Sequence, residues 1–263
     1  MDYWIDTHRT YSPGPKVNFP LIHITSQWET LESILKEGFR PSYCTEQLTN
    51  GKEVKLACFP MVSLSNMSIS DAIQYQKSYG TFGIALDKKF GEENDFNPVL
   101  YLEQKSNLTN EIIEAFKSIK VSTVIELERI VNGVGDGYRH LLTRSILKTF
   151  AHSKNYDGKI VRNETLYDEY YPFGLEREWR KIIINDSVPY FLTGDNIKHK
   201  KIFNENISNI RIDFKLEHIK GIIVESQFEQ NAVKEIIISK YNLSTFPKKI
   251  EVRINSTRHI PDK

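Results

Sequence analysis

Apolar and polar positions change period several times along the chain, and each change marks an element. Leu21-Ile22-His23-Ile24-Thr25 alternates over five residues and predicts a short strand. Residues 1–19 ahead of it carry Pro13, Gly14 and Pro15, with Pro20 at the boundary, and read as a loose leader. Ser26-Gln27-Trp28-Glu29 has the form of a capping box, and Trp28, Leu31, Ile34 and Leu35 then recur at helical spacing until Gly38 supplies a stop. Residues 45–56 are polar and turn-like, and Phe59–Leu64 predicts a buried strand. A helix is expected over about 70–78, a strand from the Tyr79-Gly80 turn to Leu86, and another over Val99–Leu102. Helical spacing returns over 110–132 and 138–153, which predicts a helical insertion over about 107–153. Strands over 176–184, 188–192, 221–225 and 249–254, with a helix over 228–240, complete one α+β domain spanning 20–263.

Composition narrows the classes. With 263 residues and 40% hydrophobic positions the chain can bury a sizeable core. Its 35 Lys+Arg against 34 Asp+Glu exclude a uniformly basic nucleic-acid binder, although residues 197–263 hold 13 basic against 8 acidic side chains and form a moderately basic C-terminal region. Two cysteines, Cys44 and Cys58, are too few for a disulfide framework or a cysteine-based zinc site. The start of the chain lacks the order of a signal peptide, and no stretch approaches the roughly 18 apolar residues of a membrane span. A cytoplasmic protein without a membrane partner is expected.

Several motifs fail their own tests. The glycines of Gly133-Val134-Gly135-Asp136-Gly137 lack the Gly-Lys-Ser/Thr ending of a phosphate loop, and a hinge between helices is the simpler reading. The seven histidines contain no HExxH pairing, so no metal is expected, and no Gly-x-Ser-x-Gly elbow is present. Two constellations remain. In Glu176-Arg177-Glu178-Trp179-Arg180-Lys181, strand alternation would place Glu176, Glu178 and Arg180 on one face, either as a surface charge ladder or as carboxylates in a cleft. His23 and Thr25 likewise share a strand face, where the imidazole is either bonded to backbone or turned toward a ligand's ribose or amide.

These residues carry a resemblance. His23-x-Thr25, Ile34–Ser42 with Gly38-Phe39-Arg40-Pro41, Pro60-Met61-Val62-Ser63, Tyr79-Gly80-x-Phe82-Gly83-Ile84-Ala85-Leu86, Asn97–Tyr101 and Glu176–Arg180 follow in the order seen in the AbiGi-like family of bacterial abortive-infection proteins. That family is usually labelled the antitoxin half of an abortive-infection pair. The same motifs resemble ADP-ribosyltransferases of the DarT-like type, which implies a split mixed or antiparallel sheet with flanking helices and NAD as co-substrate. In that resemblance His23 would bond the adenosine ribose, Thr25 would support the nicotinamide side, and Tyr79 or Phe82 would stack on the nicotinamide ring. Glu178 would be the catalytic carboxylate with Glu176 as its helper, or the reverse. Single-stranded RNA or DNA would be the acceptor, its phosphates held by Arg40, Arg139 and the C-terminal lysines. Two functional expectations follow, a transferase toxin restrained by a cognate antitoxin or a non-enzymatic antitoxin that neutralises a partner.

Overall fold

The computed structural model describes residues 19–74, 79–119, 137–162, 165–184 and 189–255. The Gly133–Asp136 hinge and most of the leader lie outside them. Strand β1 (Leu21–Thr25) leads to helix α1 (Trp28–Glu37), which buries Leu31, Ile34 and Leu35 as its periodicity predicts. The expected capping box at Ser26 does not form: Gln27 is the N-cap and makes no side-chain cap bond. Its counterpart appears at Ser226-Gln227-Phe228-Glu229, where both reciprocal bonds are present ahead of a long C-terminal helix.

Residues 45–56 are strand rather than turn at both ends. Strands β2 (Ser42–Thr49) and β3 (Val54–Asn66) form an antiparallel hairpin, pairing Ser42 with Met61 through Thr49 with Val54. Their polar look arises because β2 buries Tyr43 and Leu48 while Thr45 and Gln47 between them stay exposed. Helix α2 (Ile69–Gln74), strand β4 (Phe82–Leu86), helix α3 (Lys88–Glu93) and strands β5 (Asn97–Pro98) and β6 (Leu100–Leu102) follow. Helices α4 (Asn107–Ser118) and α5 (Gly137–Ala151) form the insertion and return the chain to β7 (Ser153–Asn155), which pairs in parallel with β6. A second hairpin, β8 (Gly158–Arg162) with β9 (Thr165–Tyr171), occupies a region without a clear pattern in sequence.

A 3₁₀ turn (Phe173–Glu176) precedes β10 (Glu178–Ile182), so Glu176 lies outside the strand expected to carry it. Of the strand expected over 188–192, a single bridge between Cys58 and Leu192 is present among the described residues. A 3₁₀ turn (Gly194–His199), helix α6 (Lys200–Asn206), a 3₁₀ turn (Leu216–His218), β11 (Ile219–Val224), α7 (Gln227–Lys240) and β12 (Glu251–Ile254) complete the chain.

The main sheet runs β12-β11-β4-β1-β3-β10-β5, with β2 also on β3. It is mixed, since β11 and β12 are parallel and the other pairs antiparallel. Met61 pairs with Ser42 on one side and Ile182 on the other, so β2 and β10 take opposite edges of β3. Strand β1 shares the β2 edge, at Ser65 and Asn66 alone. Residues 62–64 thus have no strand on that edge, and the sheet forks there. One core packs α1 and α7 against the sheet through Leu31, Leu35, Ile84, Ile222, Val233 and Ile237. Another packs the insertion helices against the hairpin through Phe59, Met61, Ile113, Leu147 and Phe150. No helix among the described residues is long and apolar enough to cross a membrane.

Candidate functional site

The fork opens into a cavity of about 1080 Å³. Ile22, His23 and Ile24 of β1, Cys44–Gln47 of β2, and Ser63 and Ser65 of β3 form its floor. Lys154, Tyr171, Phe173, Glu176 and Glu178 close another wall, and Tyr79 stands at the end of β1. The strand fork explains the position of His23. Ser63 has a backbone carbonyl without a strand partner on the forked edge, and His23 Nδ1 donates to it at 3.0 Å. A carbonyl only accepts, so Nδ1 carries the proton and Nε2 is the acceptor of the neutral ring. Burial lowers the imidazole's pKa, opposed by the bond to Ser63, and Phe39 packs edge-on at 5.5 Å.

Gly80 brings the neighbouring Tyr79 in. It holds a φ of +116°, and a Cβ there would meet the backbone of Thr25 and Ser26 at 2.4 Å. Tyr79 donates its hydroxyl proton to Glu176 Oε1. Glu176 reaches the cavity because the next residue, Arg177, takes a left-handed conformation at φ 45° and ψ 50°. That bend turns Glu176 and Glu178 toward one cation. Lys154 Nζ lies 3.2 Å from Glu176 Oε2 and 3.0 Å from Glu178 Oε2, and sits 4.4 Å from the centroid of the Phe173 ring.

Behind Glu178, the fully buried Arg180 organises the charges. Its Nε donates to Glu178 Oε1 at 2.7 Å, and its Nη2 to Glu178 Oε2 at 3.0 Å. The same Nη2 donates to Glu46 Oε2 at 2.7 Å, and Nη1 to the Ala151 carbonyl at 2.7 Å. The forked guanidinium thus joins β10, β2 and the end of the insertion. Burial works against the charge on Glu178, but Arg180 and Lys154 overcome it and hold the carboxyl well below the usual range. Burial raises the Glu46 pKa, and the Glu178 charge adds to that against the pull of Arg180. Two carboxyls on one guanidinium nitrogen are therefore driven apart. Burial opposes the Lys154 charge as well, and Glu178, Glu176 and Glu46 reverse this so that the ammonium persists. Burial beside the network pushes the Tyr101 phenol, which accepts the Glu178 backbone N–H at 2.8 Å, up to about 12.

Of the residues selected from sequence, Glu176, Glu178, His23 and Tyr79 meet at this cavity. Three others lie elsewhere. Phe82 is buried in the core against Trp28, at 6.2 Å between ring centroids. The Thr25 hydroxyl accepts the Gln27 N–H at 3.5 Å and does not line the cavity. Arg40 donates to the Asn204 carbonyl at 3.2 Å, outside the cavity lining. Arg139 falls on α5, and its side chain lies outside the described residues. Several basic residues of the C-terminal region are paired with carboxylates, Arg211 with Glu37, Lys215 with Glu93, Lys220 with Asp87 and Lys240 with Asp213. Sequence reasoning missed Glu46, Lys154 and Tyr101. Neither 42–49, with its apolar Tyr43 and Leu48 five residues apart, nor Ser153-Lys154-Asn155 carries a local pattern that marks Glu46 or Lys154. Among the described residues there is no group of three His, Cys, Asp or Glu side chains placed to hold a metal ion.

Residues 37–225 match the model of a family described as "Putative abortive phage resistance protein AbiGi, antitoxin". The chain is also 26% identical over 211 residues to the abortive phage resistance protein AbiGi of Lactococcus lactis subsp. cremoris, covering 74% of this chain and 81% of that protein. No solved structure matches it. The matched span runs from the end of α1 through β11 and contains Glu46, Tyr79, Lys154, Glu176, Glu178 and Arg180, although His23 falls before it. The chain belongs to the AbiGi family of abortive phage resistance proteins.

Proposed function

We propose that the protein is the antitoxin component of an abortive-infection pair and acts by binding a cognate toxin rather than by turning over a substrate. The observation that carries this reading is the state of the Glu178 carboxylate. Arg180 takes both its oxygens and Lys154 takes one of them again, in a buried site. A carboxylate so compensated has little unbalanced charge to offer a developing cation. The family description, antitoxin, supports the same reading. The test is growth on expression alone and with the neighbouring genes of the same locus. An antitoxin is harmless alone, restores growth beside its toxin, and keeps that ability as Glu178→Gln. Arrest by this chain alone, relieved by Glu178→Gln, would overturn the reading.

A second reading has its own support in the meeting of His23, Tyr79, Glu176 and Glu178 at one cavity. In it the protein is an NAD-dependent ADP-ribosyltransferase acting on nucleic acid. The bond between the ribose anomeric carbon and the nicotinamide nitrogen breaks, its electron pair leaving with nicotinamide, and an acceptor nitrogen or oxygen adds to the carbon and loses a proton. Glu178 would stabilise the oxocarbenium-like state, as carboxylates do in glycoside cleavage. Labelled NAD incubated with total RNA, single-stranded DNA and lysate protein tests it. Transfer abolished by Glu178→Gln supports the transferase, and no transfer to any acceptor counts against it.

A further inference from the structure

We propose that Lys154 is a built-in lock on the cavity, its ammonium holding the place where a bound ligand presents positive charge, so that a ligand engages Glu176 and Glu178 by displacing it. The proposal rests on the transferase reading and adds the reason such a site would be silent in the resting protein. The ammonium lies between two carboxylate oxygens at 3.0 and 3.2 Å and over the face of Phe173. Carboxylates joined to an aromatic face are the surroundings that take an organic cation, a pyridinium ring included. The chain has supplied one of its own.

The two cations on Glu178 differ in kind. Arg180 has no exposed surface, does not line the cavity, and is anchored by four hydrogen bonds to Glu178, Glu46 and Ala151. It positions the carboxylate. Lys154 lines the cavity, keeps 17% of its side-chain surface exposed and sits on a flexible four-carbon stem. It can swing out without unmaking the rest: Glu178 keeps Arg180, and Glu176 keeps the Tyr79 hydroxyl. The lock is also delivered from outside the forked sheet. Lys154 sits in β7, three residues beyond the end of α5, so the position of the insertion sets whether the ammonium reaches the carboxylates.

The test compares the wild-type protein with Lys154→Met, Lys154→Gln and Lys154→Arg, measuring NAD binding by calorimetry and nicotinamide release in parallel, with thermal melts as the check on folding. In the release assay water replaces the acceptor: its oxygen adds to the anomeric carbon, nicotinamide leaves with the bond's electron pair, and one proton is released. The expected result is nicotinamide release at least about tenfold faster in the Met and Gln variants than in wild type, with Lys154→Arg staying near wild type and Lys154→Met/Glu178→Gln losing the gain. Folded Met and Gln variants that bind NAD yet release nicotinamide at the wild-type rate overturn the lock and leave the transferase reading standing. If neither wild type nor variants bind NAD, the reading and the lock fall together. Loss of cooperative melting in both neutral variants assigns Lys154 a structural role and overturns the proposal as well.

Discussion

Arg180 shows how much of this site hangs on one side chain. A buried ion pair adds little net stability against an apolar replacement of the whole set, but removal of one member strands its partner. Arg180→Met leaves Glu178 with Lys154 and strips Glu46 of its charged partner, and is expected to cost roughly 3–5 kcal/mol in urea unfolding. Glu46→Gln in that background should recover part of the loss, because the stranded charge is removed; equal costs for the single and double variants would mean that Glu46 is not coupled to Arg180. The pH profile separates the two carboxyls. Glu178 is held below the usual range, so its stabilising contribution is complete above that range and fades as pH falls beneath it. Glu46 is pushed upward, so the fold favours its protonated form, and this contribution fades as pH rises through the raised value. Unfolding free energy measured from about pH 3 to 8 should therefore fall less steeply on the acid side in Glu178→Gln and less steeply on the alkaline side in Glu46→Gln. Parallel profiles in wild type and both variants would contradict the assignment.

At the scale of elements, the helix starts give the cleanest comparison. Ser26 and Ser226 each open a Ser-x-x-Glu sequence, yet Ser226 alone accepts the N3 backbone N–H, at 3.3 Å, and has Glu229 reaching back to its own. Ser226→Ala should cost about 1 kcal/mol and Ser26→Ala a few tenths at most, read by thermal melts. Comparable losses would mean that Ser26 caps α1 in solution. The Ser-x-x-Glu motif is the same in both places and the settings differ: Gly80 lies against the backbone of Thr25 and Ser26, and α1 has Gln27 as its N-cap. The same division runs through the fold. Strand β1 and helices α1, α5 and α7 were legible because one apolar face repeats at the element's own period, and strand β4, buried at all five positions, because an unbroken apolar run follows the Tyr79-Gly80 turn. The β2–β3 hairpin was not, since β2 shows apolar residues only at Tyr43 and Leu48 and its polar positions line a cavity. Of the site, Glu176, Glu178, His23 and Tyr79 could be selected from local pattern. Lys154 and Glu46 became visible only when the fold brought their partners to them, from 22 and 24 residues away for Lys154 with Glu176 and Glu178 and from 134 for Glu46 with Arg180.

For the whole molecule, the cavity lies where two cores meet. Strand β3 spans both: Phe59 and Met61 pack with the insertion, Val62 and Leu64 with the layer of α1 and α7. The insertion core is the smaller and leans on aromatic contacts, with Phe150 stacked on Phe116 at 4.1 Å and tilted against Phe59 at 6.1 Å. Its ties to the site are the bond from Arg180 to the Ala151 carbonyl, the Lys154 pairs just beyond and the two bonds between Asn155 and the Thr49 backbone. Smaller packed units open at lower free energy than the sheet they lean on. Phe150→Ala removes a fully buried ring and should cost about 3–5 kcal/mol locally, more than a weakly held unit can lose while staying closed. Hydrogen exchange followed by mass spectrometry should then show α4, α5 and β7 exchanging faster while β1, β4 and β11 keep their protection. Since β7 carries Lys154, the same variant should weaken the Lys154 pairs and, on the transferase reading, move nicotinamide release in the direction of Lys154→Met. Uniform loss of protection across both cores would instead mean that the molecule opens as one unit, and that the insertion cannot move the lysine without unfolding the sheet that holds the carboxylates.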